Sequence, residues 1–229
     1  MHELKAPSLM ALAGESLTPF ELTRLVAASP SLARQTRGRG EPVLVLPGLG
    51  ASNSSTALLR NYLTWLGYNV QGWTLGRNRG NVAEMLPWVV DQLRVLHART
   101  GSKVHAIGWS LGGILAREAA REYPETVHQV VTLGSPVVGG PKYTSMGAMY
   151  TRNGGNLDDI EAAIAAREST PITVPVTSIY SKRDGIGGWQ ASIDRHSSDI
   201  EHIEVRATHL GLGISPEVFK ILARKLANT

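Results

Sequence analysis

Short apolar runs alternate along the chain with longer segments whose apolar residues recur at helical spacing. A helical segment between two strands leads the chain back across the sheet, so the second strand pairs parallel to the first. Some of the runs are fully apolar, which is typical of strands covered by helices on both faces of a sheet. This pattern predicts a doubly wound, mostly parallel α/β sheet of about six strands. The predicted strands cover residues 42–48, 68–73, 103–108, 127–134, 172–180 and 200–207.

The helical segments begin and end at residues that commonly cap helices. Asn81 precedes the longest segment, and Glu84 three residues later fits a capping box. Ser215 and Pro216 are suited to an N-cap and a first helical position, and Gly67 is a common type of helix stop. The predicted helices cover residues 18–28, 55–67, 82–99, 111–123, 156–169 and 216–227.

A length of 229 residues suits one large domain, and we predict a single α/β domain over residues 1–229. Two segments depart from the alternation of strands and helices. Residues 10–38 precede the first strand and are predicted to form an N-terminal helical extension that ends in an Arg/Gly-rich linker. Residues 135–171 follow the fourth strand and contain a further helical pattern, so we expect them to form a small cap or lid insertion.

The composition excludes several classes of function. The chain has no cysteine, which excludes disulfide frameworks, cysteine-ligated metals and a cysteine nucleophile. Its net charge of +4 is modest and its basic residues are scattered, so we expect no nucleic-acid partner. We recognise no signal peptide and no transmembrane segment in the sequence, and a cytoplasmic location is the resulting expectation. The oligomeric state is left open.

The segment Gly108-Trp109-Ser110-Leu111-Gly112 lies where the third predicted strand runs directly into a predicted helix. Sites in open α/β sheets form outside the carboxyl ends of the strands, so Ser110 is well placed for chemistry. A serine on such a sharp turn is typical of the nucleophile elbow, in which the flanking glycines let strand and helix approach closely. The turn would also direct the N–H of Leu111 towards a reacting carbonyl. We predict Ser110 as a nucleophile, and a flexible turn is the plain alternative.

A nucleophilic serine needs a base, and in sites of this type the histidine follows the acid in chain order. His209 lies in a glycine-rich loop after the last predicted strand, at its carboxyl end, and is the predicted base. His196 and His202 are the alternatives, but His196 precedes that strand and His202 falls within it. His105 lies inside the third strand, and we interpret it as structural.

Three aspartates between Ser110 and His209 could orient the histidine. Asp184 directly follows the fifth predicted strand, in a turn at its carboxyl end. Asp194 falls in a segment that returns across the sheet, and Asp199 precedes the last strand, at the opposite edge. We therefore predict Asp184 as the acid, with a simple Asp-Gly turn as the alternative.

The loop after the first strand should supply a second oxyanion donor. Gly48 and Gly50 allow close approach of the backbone, and the N–H of Leu49 is the candidate, with a plain turn as the alternative. Tryptophans near carboxyl strand ends could line an acyl or aromatic pocket, although burial in the core is equally consistent with them. The predicted pocket residues are Gly48, Trp73, Trp109 and Trp189.

The elbow, the strand at 130–134 and the segments 177–186 and 207–218 together resemble the α/β-hydrolase superfamily. They look most like the small bacterial lipases related to Bacillus lipase A, the class 2 lipases, over about residues 42–227. The resemblance implies a minimal α/β-hydrolase fold and hydrolysis of carboxylic esters. It also implies a role for each candidate: Ser110 as nucleophile, His209 as base, Asp184 as acid, and the amides of Leu49 and Leu111 as oxyanion hole.

Two positions depart from the usual pattern of those lipases. They usually have His-Gly where this chain has Pro47-Gly48, and they often have histidine in place of Trp109. Pro47 offers no side-chain hydrogen bond, so the loop that carries Leu49 must be held in another way.

These features together predict a serine hydrolase, an esterase or lipase that cleaves carboxylic esters through an acyl-enzyme intermediate. Small-molecule or lipid esters are the expected substrates, and no metal or other cofactor is expected. An acyltransferase or amidase would use the same catalytic triad with a different acceptor or bond. A non-catalytic binding protein on the same scaffold is the third possibility, because fold alone does not decide function.

Overall fold

The computed structural model describes residues 4–152 and 154–227, and the strands within them form one sheet. The strands are β1 Pro42–Leu46, β2 Asn69–Gly72, β3 Val104–Trp109, β4 Val127–Leu133, β5 Val176–Tyr180 and β6 Ile200–Glu204. Their order across the sheet is β2-β1-β3-β4-β5-β6, and every neighbouring pair is parallel. The doubly wound α/β sheet predicted from the hydrophobic pattern is confirmed.

Helices precede the sheet, connect its strands and follow its last strand. They are α1 Leu9–Gly14, α2 Pro19–Ala27, α3 Ser29–Leu32, α4 Ala57–Trp65, α5 Val82–Thr100, α6 Leu111–Glu122, α7 Gly147–Arg152, α8 Leu157–Glu168 and α9 Pro216–Ala227. Asn81 caps α5 as predicted, since its side chain accepts a hydrogen bond from the N–H of Glu84.

Apolar side chains cover both faces of the sheet. On one face Leu63 of α4 and Leu222 of α9 belong to a buried cluster with Val45 and other strand residues. On the other face Leu93 of α5 and Leu115 of α6 belong to a second buried cluster. Burial on both sides explains why the inner strand β1 is buried along its whole length, whereas the edge strands β2 and β6 carry exposed polar residues.

The fifth strand begins later than the apolar pattern predicts, at Val176 rather than at residue 172. Ile172 and Val174 are buried, so the pattern correctly marks them as interior positions. Pro175 has no N–H to donate to a neighbouring strand, and its carbonyl accepts from the N–H of Val130 at 2.9 Å. Apolar burial therefore extends further along the chain than strand pairing does.

The predicted extension, residues 10–38, contains most of three short helices where the sequence predicts one. Leu25 and Leu32 pack against the core of the sheet domain. The turn after β5 approaches α1 so closely that a Cβ on Gly185 would clash with the backbone carbonyl of Ala11. The extension therefore lies against a loop that carries one of the candidate residues.

Residues 135–171 leave the sheet after β4 and carry α7 and α8. The Lys142 ammonium lies 2.5 Å from a carboxylate oxygen of Glu161 in α8. At the end of α8, the Glu168 carboxylate lies 3.3 Å from the guanidinium of Arg117 in α6. The Glu168–Arg117 pair places the end of α8 next to α6, the helix that follows Ser110.

The strand register brings the candidate segments to one edge of the sheet. Leu46 of β1 pairs with Gly108 of β3, and Leu133 of β4 pairs with Ile179 of β5. Since these parallel strands end nearly level with one another, the loops that follow them meet at the same carboxyl edge.

Candidate active site

Ser110 occupies the turn between β3 and α6 in a strained backbone conformation. Its φ is 54° and its ψ is −120°, and within the described residues no other non-glycine residue has a positive φ. Such conformations cost about 1–3 kcal/mol and persist where the surroundings hold them. Here the Ser110 N–H donates to the carbonyl of Leu133 at 2.8 Å, and its own carbonyl accepts from the N–H of Gly113 at 2.9 Å.

The glycines of the motif remove side chains at two different contacts. A Cβ on Gly108 would collide with the backbone of Gly112 and Gly113, so this glycine lets α6 pack on β3. A Cβ on Gly112 would lie 2.7 Å from the carbonyl oxygen of Pro47, so this glycine lets α6 approach the end of β1. The motif therefore fixes the position of Ser110 relative to two strands.

Asp184 and His209 lie next to each other at this edge. Nδ1 of His209 is 2.6 Å from Oδ2 of Asp184, and both side chains are almost fully buried. The second carboxylate oxygen, Oδ1, accepts from the N–H groups of Ile186 at 2.9 Å and Gly187 at 2.6 Å. The carboxylate is thus held within its own loop and presents one oxygen to the imidazole, which favours a proton on Nδ1 and leaves Nε2 as an acceptor.

Gly134, directly after β4, leaves room for this pair. Its φ is 56°, and a Cβ there would lie 2.9 Å from Oδ2 of Asp184 and 3.1 Å from Nδ1 of His209. A side chain at this position would press on both groups. In the sequence Gly134 is recognisable only as the end of a strand. Its proximity to Asp184 and His209 is visible only in the structure.

The alternative histidines and aspartates have other contacts. His202 lies within β6, paired in register with Ser178. Asp194 binds the buried guanidinium of Arg117 at 2.7 Å, and its other oxygen accepts from the N–H of His196 at 2.8 Å. Asp199 lies just before β6, where its carbonyl accepts from the first residue of β5.

A cavity of about 570 Å³ lies in front of Ser110 and His209. This volume is within the range of about 300–1,000 Å³ that is usual for small-molecule sites. The 135–171 segment contributes much of the apolar wall, through Met146, Tyr150, Ile160 and Ile164. The predicted cap therefore contributes to the cavity that contains the candidate nucleophile.

The two residues predicted as oxyanion donors lie in the segments next to Ser110. Gly48 brings the loop after β1 against the serine, since a Cβ on Gly48 would lie 3.2 Å from Cβ of Ser110. Leu49 follows directly, and Leu111 is the first residue of α6. Both residues line the cavity.

Asn78 holds the loop that carries Leu49, in the place where Pro47 provides no side-chain hydrogen bond. Its side chain is completely buried, and Nδ2 donates to the carbonyl of Pro47 at 2.9 Å. Its backbone carbonyl accepts from the N–H of Gly50 at 2.8 Å, and its N–H donates to the carbonyl of Ala51 at 2.8 Å. No sequence pattern marks Asn78, because it lies between two arginines in a segment with the composition of a solvated loop.

The predicted pocket residues have different locations. Gly48 and Trp109 line the cavity, and the indole N–H of Trp109 also donates to the carbonyl of His209. Trp73 is buried in the core on the α5 and α6 side, so its predicted place in the pocket is corrected to a core position. Trp189 stacks on Tyr180 with ring centres 5.8 Å apart and does not line the cavity.

In residues 4–152 and 154–227, no three His, Asp or Glu side chains lie together as metal ligands would. The helices in the same part of the chain are all too short or too polar to cross a membrane.

The all-parallel six-stranded sheet with helices on both faces matches solved structures of the α/β-hydrolase fold. Solved structures with this fold include one described as LipS and LipT, two metagenome-derived lipolytic enzymes, with a TM-score of 0.65 and 17% identity over 84% of this chain and 94% of that chain. Lipase BlEst2 of Bacillus licheniformis in its mature form has a TM-score of 0.65 and 16% identity, again over 84% of this chain and 94% of that chain. At these identities the likeness concerns the fold.

The chain belongs to the palmitoyl protein thioesterase family, whose model matches residues 42–182, more than half of its length. A pimeloyl-[acyl-carrier protein] methyl ester esterase of Aeromonas hydrophila is 27% identical to it over 110 residues, which are 46% of this chain and 42% of that protein. The chain thus matches less than half the length of this curated relative. The family match includes the serine turn and ends just before Asp184.

Proposed function

We propose that the protein is a serine hydrolase that cleaves carboxylic esters through an acyl-enzyme intermediate. The observation that carries the proposal is a cavity lined by Ser110 and His209, with Asp184 behind the histidine. Ser110 lies on a strained turn, His209 lines the same cavity, and Asp184 lies 2.6 Å from the ring of His209. The relative named as an esterase supports the same reaction class.

Each group has a role in this reaction. Oγ of Ser110 attacks the acyl carbonyl, and Nε2 of His209 accepts the hydroxyl proton and then gives it to the departing alcohol. Asp184 holds the imidazole in the tautomer that leaves Nε2 free and stabilises the imidazolium. The amides of Leu49 and Leu111 donate to the oxyanion of the tetrahedral intermediate. Water activated by His209 then releases the acid and restores Ser110.

The apolar wall of the cavity supports an acyl chain as the group bound there. Ile160 and Ile164 of α8, in the 135–171 segment, line the cavity. We therefore propose that residues 135–171 limit the length of the acyl chain. A narrower relationship to the lipases related to Bacillus lipase A is a prediction from the sequence motifs alone.

Hydrolysis of acyl thioesters is a second candidate, which the match to the palmitoyl protein thioesterase family favours. The same attack on the acyl carbon applies, with a thiol in place of the alcohol as leaving group. Transfer of the acyl group to an alcohol or amine would require the same intermediate, and product analysis with an added acceptor distinguishes it from hydrolysis.

A series of p-nitrophenyl esters from acetate to palmitate, with matched acyl thioesters, tests the proposed reaction. We expect the wild-type protein to hydrolyse some of these substrates and the Ser110→Ala variant to hydrolyse none. A higher kcat/KM for esters than for thioesters would indicate an esterase, and the reverse would indicate a thioesterase. Ile164→Trp should reduce kcat/KM for the long esters and leave acetate hydrolysis nearly unchanged. Ala165→Trp, on the exposed side of α8, is the matched control.

Two results would contradict these proposals. Turnover of all substrates that is equal in wild type and Ser110→Ala would exclude the serine mechanism. An unchanged chain-length profile in Ile164→Trp would assign the 135–171 segment a purely structural role.

A further inference from the structure

Glu15 is a buried carboxylate in the turn between α1 and α2, and only 8% of its surface is exposed. Its Oε1 accepts from the N–H of Gly185 at 2.8 Å and from the N–H of His209 at 2.7 Å. Its Oε2 accepts from the N–H of Leu210 at 2.9 Å. One side chain from the N-terminal extension therefore binds the backbone directly after Asp184 and the backbone of His209 itself.

These bonds connect the two loops whose relative position sets the contact between acid and base. Asp184 and His209 are 25 residues apart in sequence, and their side chains meet across 2.6 Å. A carboxylate only accepts hydrogen bonds, so it can satisfy three converging N–H donors without presenting a donor of its own. Bonds to an ionised acceptor are shorter and about twice as strong as those between neutral groups.

The extension and the residues just before it make further close contacts with the same loops. The hydroxyl of Thr18 lies 2.8 Å from that of Thr208, the residue before His209. A Cβ on Gly188, in the loop after Asp184, would clash with the carbonyl of Lys5. The chain therefore contacts the two loops both before and after Glu15 in the sequence.

We infer that Glu15 is a positioning residue of the active site, and that the N-terminal extension serves to hold the acid and the base in register. The inference rests on the proposed serine-hydrolase function. Glu15 touches neither substrate nor the reacting atoms, and it acts through the backbones of Gly185 and His209. Small displacements of a catalytic group can reduce the rate by about 100-fold, which sets the scale of the expected effect.

Variants at Glu15 test the inference through kcat, KM and one spectroscopic signal. We expect Glu15→Ala to lower kcat for p-nitrophenyl acetate by roughly 10- to 100-fold with KM within a few-fold of wild type. Glu15→Gln keeps one acceptor oxygen but places an amide N–H₂ near one of the backbone donors. Its kcat should therefore fall, but less than that of Glu15→Ala. The downfield proton resonance of the short His209–Asp184 bond should weaken or shift in both variants.

Glu21→Gln is the matched control. Glu21 is a second buried carboxylate of the extension, pairs with Arg24 at 2.7 Å, and packs near Gly211 in the histidine loop. We expect its kcat per folded molecule to stay near that of wild type. Thermal unfolding and circular dichroism measure the folded fraction for each variant, so a loss of fold is separated from a loss of rate.

The inference would be overturned if both folded variants kept the kcat of wild type per folded molecule and left the downfield resonance unchanged. This holds even if both variants unfold at a lower temperature. If Glu15→Ala does not fold, Glu15→Gln provides the test by the same two readouts. Full activity of Ser110→Ala in the same assay would instead overturn the proposed function. The proton resonance would still report whether Glu15 positions the pair.

Discussion

The indole N–H of Trp109 donates a hydrogen bond to the backbone carbonyl of His209 at 3.2 Å. Trp109 directly precedes Ser110, so the bond connects the end of β3 with the loop that carries the histidine. The same ring lies against Gly213, where a Cβ would be 2.8 Å from Cζ3 of Trp109. The tryptophan that the sequence predicts as a pocket residue therefore also contacts the backbone of the candidate base.

Trp109→Phe should keep most of the ring packing and remove this hydrogen bond. A neutral hydrogen bond contributes about 1 kcal/mol net, so we expect kcat to fall by roughly fivefold while KM changes little. Steady-state kinetics on p-nitrophenyl acetate measure both constants. Trp88→Phe, on the exposed side of α5, is the control. Equal kcat in the two variants would contradict a positioning effect of the Trp109 bond.

Asp184→Asn should lower kcat by about 10⁴-fold while the protein folds normally. An amide in place of the carboxylate can hold the wrong tautomer of His209, so Nε2 no longer accepts the proton of Ser110. Kinetics on short esters and the unfolding temperature are the two measurements. A loss of only a few-fold would show that another group orients the histidine.

Asp194→Asn is the matched control for Asp184→Asn, and we expect it to affect stability instead of rate. Burial by itself raises the pKa of Asp194, but the Arg117 guanidinium and the N–H of His196 hold it well below its usual range. Removing one partner of a buried ion pair costs up to about 3–5 kcal/mol, and the second partner of Arg117, Glu168 at 3.3 Å, should keep the loss towards the lower end of that range. A carboxylate with a depressed pKa stabilises the fold at pH values above its pKa in the unfolded chain. The difference in the free energy of unfolding between variant and wild type should therefore shrink below about pH 4.

Asn78→Asp tests how the loop with Leu49 is held. The substitution keeps the size of the side chain but replaces the donor to the Pro47 carbonyl with an acceptor. We expect kcat to fall by up to about 100-fold, because removing an oxyanion donor outright costs about 10²- to 10³-fold and this change only displaces one. Arg79→Ala, one residue further along and exposed, should keep wild-type kcat. Identical rates in the two variants would contradict a role for Asn78 in holding the loop that carries Leu49.

His105 should make stability depend on pH. Burial, and then the neighbouring His128, lower the pKa of His105 from 6.5 to about 4, and Glu41 opposes them weakly. The folded state therefore binds the proton less readily than the unfolded state. The contribution of neutral His105 to the free energy of unfolding is fully present above pH 6.5. It is lost as the pH falls from 6.5 to about 4, and the total loss is about 3 kcal/mol.

The variant His105→Gln isolates this effect. Denaturant unfolding at several pH values measures the free energy of unfolding as a function of pH. Between pH 6.5 and about 4, this free energy should fall less steeply for the variant than for wild type. Curves that stay parallel over this interval would show that His105 does not resist protonation in the folded protein.

The sheet and the three main candidate residues could be predicted because their signals are local. Apolar runs and caps mark strands and helices, Ser110 directly follows a strand, and Asp184 lies in the turn after one. The contacts of Asn78 and Glu15 could not be predicted, because their partners are 31 and up to 195 residues away. For Trp73, proximity to a strand end could not distinguish a pocket wall from the core. Only the packing of α5 and α6 decides that it is buried.

The central claim is that Ser110 is the nucleophile, and labelling with an organophosphonate tests it most directly. Mass spectrometry of the labelled wild type should find one phosphonyl group, on Ser110, together with loss of ester hydrolysis. Ser110→Ala should take up no label and lose about 10⁴-fold or more in kcat/KM. A label on another residue, or most of the activity retained in a folded Ser110→Ala protein, would contradict the account.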